Sequence, residues 1–343
     1  MLVKRKGLFC MKDFMSKDFM SIGEILIDSV PYKVENFSRP LYQMNPGGAP
    51  ANVACVMAKL GHDSGFIGRV GNDVFGGECI SALNECGVDT SNMIISEDDP
   101  TTLALVCLDE SGNRSFSFYR NGSADVGLTC EHLDELDFPN AKLFHFGSVS
   151  LSCEPSRGAT LYGVEIAKKK GSVISYDPNF RPALWKNHNE AFCEIMKCFP
   201  LADIIKLSEE EGEFLFNEKD PVKVCKILET EFSPQMVVVT QATQGCTCSV
   251  NGKIYTAPAY DVNTIDTTGA GDCFWGGLMH CLLKSGKSLN SLRELTNEEI
   301  LYMLEFSNAI GSLATSKKGA IPAIPTIEEI ENCIKSTPKI KRL

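Results

Sequence analysis

Several common signatures are missing from this chain, and each absence excludes a class. There are five histidines in 343 residues and no His-Glu-x-x-His among them, so the usual zinc-hydrolase motif is absent. Basic charge is in deficit: 33 Lys and Arg against 44 Asp and Glu give a net charge of −11. A nucleic-acid partner calls for a basic patch. The longest basic run, Lys168-Lys169-Lys170, stands before Gly171 as a helix end would, near the negative pole of its dipole. No stretch approaches the ~20 consecutive apolar residues needed to span a bilayer, so no membrane partner is expected. The basic segment Met1–Met20 leads into no continuous apolar run, and no secretory signal is expected. The 15 cysteines are odd in number and scattered, unlike the dense framework of a disulfide-stapled domain. Cys246-Thr-Cys248 is the closest pair, and no second pair or histidine follows at zinc spacing. Buried, reduced thiols in a cytoplasmic protein are the expectation.

What is present is alternation. Short apolar runs at Ser21–Asp28, Phe66–Val70, Lys142–Phe146, Val173–Tyr176, Asp203–Leu207 and Met236–Thr240 are separated by helical patterns. These patterns cover Ala49–Leu60, Val74–Glu85, Arg157–Lys170 and Asn189–Lys197. Such alternation predicts a mainly parallel sheet covered by helices on both faces, a three-layer α/β/α domain. Two regions break it. Leu103–Leu108 and Arg114–Tyr119 read as a hairpin, and Pro31–Gln43 reads as extended. They predict a small β-sheet lid built from about 31–45 and 100–121. A second hairpin is expected at Cys246–Val250 and Lys253–Ala257, around Asn251-Gly252. Residues 1–20 read as an extension, 21–335 as one domain and 336–343 as a tail.

Four segments carry candidate chemistry. Asp266-Thr267-Thr268-Gly269-Ala270-Gly271-Asp272 runs into a long apolar segment, which predicts a glycine loop opening a helix. Exposed N–H groups at such an end bind anions, and Asp272 there could take a proton from a hydroxyl. An ordinary glycine-bounded helix with an acidic first turn fits the same residues. Gly47-Gly48-Ala49-Pro50-Ala51-Asn52 places an amide on a first helical turn, where it can bond sugar hydroxyls. A capped helix start is the plainer reading of that segment. Asp28 stands at the end of the first expected strand, where polar residues line ligand crevices; it could equally be a turn residue. Asp177-Pro178-Asn179-Phe180-Arg181-Pro182 follows another strand, and Lys206, Ser208 and Glu211 follow the next. Two nucleotide signatures are absent. Cys281 stands where a Walker loop ending at Gly286-Lys287-Ser288 needs its first glycine. Phe274 occupies the third glycine position of a dinucleotide fingerprint.

Taken together, the 47–52 and 266–272 motifs resemble the ribokinase-like carbohydrate kinases, the PfkB family, over about Ser21 to Thr326. Within the family, the strings Gly23-Glu24-Ile25-Leu26-Ile27-Asp28, Phe118-Tyr119-Arg120-Asn121-Gly122-Ser123-Ala124-Asp125, Ser175–Pro182 and Lys318–Ala323 look most like fructokinases. The resemblance implies a ribokinase-like fold and ATP-dependent phosphorylation of a small sugar, with D-fructose the first expectation. It implies Asp272 as general base, with the N–H groups of Gly269, Ala270, Gly271 and Asp272 as an anion hole. It assigns Asp28, Gly48, Asn52, Tyr119, Arg120, Asp177 and Arg181 to the sugar side. Asn179, Lys206, Ser208, Glu211, Thr240, Gly245 and Asn308 fall on the ATP side. Glu211 matches the acid that organises Mg2+ through water in an Asn-x-x-Glu motif, where Ser208 here replaces the asparagine. Asp266, Thr268, Ala314, Lys317, Gly319 and Ala323 match a K+ site made mostly of backbone. A homodimer through the lid is also implied. Kinases for 2-keto-3-deoxygluconate, ribose or a riboside are the alternatives within the family. A noncatalytic sugar-sensing relative that keeps the fold is the alternative from a different function class, and a dehydrogenase, weakened by the missing fingerprint, is a third.

Overall fold

In a computed structural model, which describes residues 17–32, 41–108, 114–289 and 292–341, the fold starts with strand β1 (Lys17–Ile22). The chain leaves the sheet at Gly23-Glu24-Ile25 and enters a second sheet as β2 (Leu26–Tyr32) and β3 (Leu41–Gly47). Helix α1 (Ala49–Lys59), β4 (Ser64–Gly71), α2 (Val74–Cys86) and β5 (Met93–Ser96) follow. The hairpin of β6 (Leu103–Leu108) and β7 (Arg114–Tyr119) completes the second sheet. Alternation then resumes through α3 (Cys130–Glu135), β8 (Ala141–Phe146), α4 (Ser156–Lys169), β9 (Val173–Tyr176) and α5 (His188–Cys198). It continues with β10 (Ile204–Ser208), α6 (Glu209–Phe216), α7 (Pro221–Phe232) and β11 (Met236–Thr240). The hairpin β12 (Cys246–Val250) and β13 (Lys253–Ala257) precedes the helices α8 (Ala270–Lys284), α9 (Asn297–Ala314) and α10 (Ile327–Ser336).

The large sheet has nine strands in the order β13-β12-β11-β10-β9-β8-β1-β4-β5, and the small one has four, β3-β2-β6-β7. Strands β5 to β11 of the large sheet pair in parallel, and β12 and β13 are added antiparallel. Side chains alternate across a strand, so each parallel strand feeds two cores. In β11, Val238 joins the buried cluster that includes Met57, Trp275, Leu278 and Ile310 of α1, α8 and α9. Its neighbours Val237 and Val239 join the cluster that includes Val164, Ile195 and Leu228 of α4, α5 and α7. Burying one such side chain stabilises the fold by roughly 1.5–3 kcal/mol, which is why near-continuous apolar strands settle between two helical layers. The expected three-layer domain and small sheet are present, and the cysteines whose side chains are described are free thiols, mostly buried.

Three boundaries differ from the sequence reading. Residues 17–20 are not extension: Phe19 and Met20 are fully buried in β1, and Lys17 bridges Asp63 and Asp89 at 2.8 Å each. The rest of that expected extension, residues 1–16, lies outside the described residues. Asp28 does not end the first strand. It sits within β2, opposite Asn45 of β3 and Ala104 of β6, because the apolar run 21–28 changes sheet at Glu24. The small sheet accordingly begins at Leu26, earlier than expected. Residues 337–340 are not a loose tail either. Asp261 N–H donates to Pro338 O and Ile340 N–H to Ala259 O, both at 2.8 Å.

Candidate active site

In the large sheet the chain first moves from β1 to β4 and β5, then returns to the other side of β1 as β8. The crevice at such a reversal, beyond the carboxyl ends of the strands, is where open α/β sheets bind ligands. Here it is a cavity of about 670 Å³. Four strand ends deliver polar residues to its wall: Glu24 after β1, Asp177 after β9, Lys206 and Ser208 from β10, and Thr240 from β11. The small sheet contributes Leu26, Asp28 and Phe118. Gly48 opens α1 with φ 133°, and a Cβ there would stand 2.5 Å from Glu24 O. The loop can therefore approach the cavity only with glycine at that position.

Helix α8 begins at the floor of this cavity. Its first residue is preceded by Gly269 in the left-handed conformation, φ 75°, with no side-chain cap. A Cβ at Gly269 would lie 2.5 Å from Ala320 Cβ. Ala270 N–H donates to Thr267 O at 3.3 Å. That leaves the N–H groups of Gly271 and Asp272, whose residues both line the cavity, as the open donors of the first turn. An anion placed there meets these donors and the positive helix pole.

Asp272 is buried between two amides. Asn52 donates to Oδ2 at 2.7 Å and Asn179 to Oδ1 at 3.1 Å. Burial pushes its carboxyl pKa above the ordinary range and Asp177 adds to this, against the Asn52 bond and the Lys206 and Arg181 charges. Each carboxylate oxygen holds one donor and keeps acceptor capacity for another. A buried carboxylate of raised pKa, fixed in orientation beside an anion-binding helix end, is equipped to take a proton from an incoming hydroxyl.

The remaining expected residues divide into those brought together and those placed elsewhere. Lys206 pairs with Asp177 at 2.6 Å in full burial. Burial alone would lower its pKa, but Asp177, Glu211 and Asp272 raise it, so it stays a cation. Arg181 lines the cavity with an exposed guanidinium donating to Asn179 O and Phe180 O. Burial raises the Asp28 carboxyl to about 6, eased by Arg181 and aggravated by Asp272 and Asp266. Ser208 caps α6 in a reciprocal box with Glu211, whose Oε2 accepts from Ser208 N–H at 2.7 Å. Its Oε1 accepts from Phe180 N–H at 2.6 Å. Glu211 thus ties the Asp177–Arg181 loop to α6, and serine does the capping work of the expected asparagine. Thr240, Gly245 and Asn308 line a second basin of about 390 Å³, which shares Thr240, Thr267 and Gly271 with the first. It is more apolar, walled by Ala259, Tyr260, Val262, Phe274 and Ile340.

Two residues expected on the sugar side lie off the cavity lining. Tyr119 is 65% exposed, and its neighbour Phe118 lines the cavity instead, because alternation along β7 turns the two to opposite faces. Arg120 is buried away from the cavity lining. Its guanidinium is held by Asp125 at 2.7 Å, Ser152 Oγ at 2.6 Å and Val149 O at 3.1 Å. Asn179, expected on the nucleotide side, holds Asp272.

Behind the α8 start, Asp266 Oδ1 accepts from Thr268 N–H (3.0 Å) and Oγ1 (2.7 Å), and Oδ2 from Gly319 N–H (3.0 Å). This buried carboxylate knits the 266–268 and 319 loops, while Lys317 turns outward to Glu329 at 3.1 Å. Ala314 ends α9, and Ala323 closes the turn 321–323 with its side chain fully buried. Sequence reasoning missed Glu24. Its Oε1 accepts from Ala49 N–H at 3.0 Å, and its Oε2 is buried with no partner among the described residues. Burial raises it to about 7. An acid directly after a strand's carboxyl end was the available signal.

The chain is similar to known proteins over most of its length. Residues 16–327 match the model of the pfkB family of carbohydrate kinases. A fructokinase-1 from Zea mays is 40% identical over 315 residues, covering 91% of this chain and 95% of its own. The crystal structure of a fructokinase with bound ATP from Xylella fastidiosa superposes with a TM-score of 0.85 at 32% identity, covering 93% of this chain and 98% of its own. A fructokinase double mutant from Vibrio cholerae O395, with fructose, ADP and potassium ion bound, superposes with a TM-score of 0.82 at 32% identity, covering 93% and 99%.

Proposed function

Since the chain belongs to the pfkB family of carbohydrate kinases, we propose that it transfers the γ-phosphoryl group of ATP to the 6-hydroxyl of D-fructose. The observation that carries this reading is Asp272, oriented by Asn52 and Asn179 at the uncapped start of α8. Fructose occupies the polar cavity, with Asp28, Gly48 and Asn52 holding its hydroxyls. ATP lies along the second basin with its γ-phosphate at the N–H groups of Gly271 and Asp272. Asp272 removes the proton as the sugar oxygen bonds to phosphorus and the bond to the β-phosphate oxygen breaks, giving the sugar phosphate and ADP. Such transfer needs positioning and charge neutralisation more than covalent chemistry.

Charge supports a neutral polyol. The cavity wall carries Glu24, Asp28, Asp177, Glu210, Glu211 and Asp272 against Lys206 and Arg181, and Lys206 is already paired. A sugar phosphate would need a basic clamp. The acid-sugar alternative drew on Arg120, whose donors are spent on Asp125, Ser152 and Val149.

Two ions fit the residues present. Glu211 lines the cavity beside the α8 start, and it would orient through water an Mg2+ held by the nucleotide phosphates. When bound it neutralises developing phosphate charge. K+ fits beside the Asp266–Thr268 and Gly319 loops, behind the anion hole. Replacing K+ by tetramethylammonium at constant ionic strength then lowers the rate, and an unchanged rate removes the ion. A cytosolic location suits the free buried thiols. A homodimer through the small sheet suits exposed Tyr32, Tyr42, Met44 and Tyr119; sedimentation equilibrium giving a monomer would dismiss it.

The test of substrate is kcat/KM for D-fructose, ribose, adenosine and 2-keto-3-deoxygluconate at saturating ATP and Mg2+. Fructose should lead clearly. Preference for the acid sugar or a riboside would overturn the assignment while leaving the kinase family untouched.

A further inference from the structure

The segment after α10 folds back across the second basin. Its backbone is clipped at two points, Asp261 N–H to Pro338 O and Ile340 N–H to Ala259 O, both 2.8 Å, with a bridge between Tyr260 and Lys339. Lys339 adds an ion pair to Glu305 of α9 and lies 5.9 Å above the Tyr260 ring. This is a short antiparallel addition that carries Ile340 onto the wall of the basin, which Asn308 and Gly311 of α9 also line. A side chain that lines a cavity at the very end of a fold has to be delivered there by its backbone, and here the backbone is fixed on both sides of Lys339.

The basin adjoins the α8 anion hole through Thr240, Thr267 and Gly271. A nucleotide whose terminal phosphate reaches that hole puts its base and ribose in the basin. We propose that residues 338–340 form a clip that completes the nucleobase pocket, with Ile340 as its apolar wall and a determinant of ATP affinity. This rests on the nucleotide reading of the basin given above. An aromatic base is flat and largely apolar on its faces, and Ile340 together with Val262 and Tyr260 offers it a dry surface in an otherwise threonine-rich site. Without the clip this wall is open to water, and the base loses contact while the phosphates keep theirs.

The experiment uses the full chain and two variants. Ile340→Ala removes the wall and keeps both backbone bonds. Ile340→Pro removes the donor to Ala259 and undocks the clip. Dissociation constants for ATP and for inorganic tripolyphosphate are measured by calorimetry, with KM for ATP and fructose and Tm alongside. In both variants the ATP dissociation constant and KM should rise together, by about three- to tenfold for Ile340→Ala, the loss of part of one apolar contact. Tripolyphosphate, which has no base, should bind as it does to the wild type, and KM for fructose should hold. ATP affinity unchanged in folded Ile340→Ala overturns the clip, whatever happens to the proline variant. Equal weakening of ATP, tripolyphosphate and fructose, with a lowered Tm, also overturns it, as a general structural effect. A wild type that binds tripolyphosphate but no nucleotide overturns the nucleotide reading itself, and the clip with it.

Discussion

Asp272 and Glu24 are both buried carboxyls in the same cavity, yet their partners give them different tasks. Asp272 is held by two amides, Asn52 and Asn179, which fix its direction without neutralising it. Glu24 has one backbone donor, Ala49 N–H, and one orphan oxygen. Burial, the largest influence, lifts it from 4.5 to about 7, with Arg120 partly opposing. The folded state therefore binds this proton more tightly than the unfolded chain. The stability gained is complete below pH ~4.5 and is lost as the pH rises through about 7. Glu24→Gln removes that titration. By calorimetry the difference in Tm, wild type minus variant, should shrink from about pH 5 to about pH 8; a flat difference would mean that Glu24 does not titrate there. Of these two acids, Asp272 was legible in the sequence because glycines surround it. Glu24 was not, because a single acid between apolar residues looks like one more turn.

At the scale of elements, the helix starts decide the site. Helix α8 is left uncapped by Gly269 so that its donors can face a ligand, whereas α6 is capped fully by Ser208 and Glu211. The capping box answers why serine can stand where the family motif has asparagine: both cap a helix well. Ser208→Ala should cost about 0.5–2 kcal/mol of stability, and Ser208→Asn should cost little. Chemical denaturation of the two variants checks this, and equal losses would reject capping as the role of the side chain. Element types were readable where periodicity was long. The hairpins at 103–119 and 246–257 lie where alternation put them. The change of sheet at Glu24 was invisible, since a period of two reads the same on either side of it. The docking of 337–340 was also invisible, because it rests on backbone bonds to 259–261 that leave no mark in side-chain patterning.

For the molecule as a whole, the fold makes the polar cavity and the second basin meet at one helix start. The small sheet supplies Asp28 and Phe118 to the cavity, and α9 lines the second basin. The topological reversal between β1 and β8 opens the crevice between them. This architecture was legible because strands and helices alternate along most of the chain, and the site was legible where two ordered glycine motifs, 47–52 and 266–272, mark both sides of it. Tyr119 and Arg120 lie off the cavity lining, since their orientation depends on which face of β7 meets the cavity and on Asp125 capturing the guanidinium. In the proposed reaction Asp272 directs ATP's phosphoryl group to the 6-hydroxyl of fructose. The most direct measurement is phosphorus–proton NMR of the product formed from D-fructose, ATP and Mg2+ by the wild type and by Asp272→Asn. This role requires a phosphorus coupled to the protons on C6, formed roughly 10²–10⁴ times more slowly by a variant of unchanged Tm. Phosphate on C1, or near wild-type turnover by the folded variant, would contradict it.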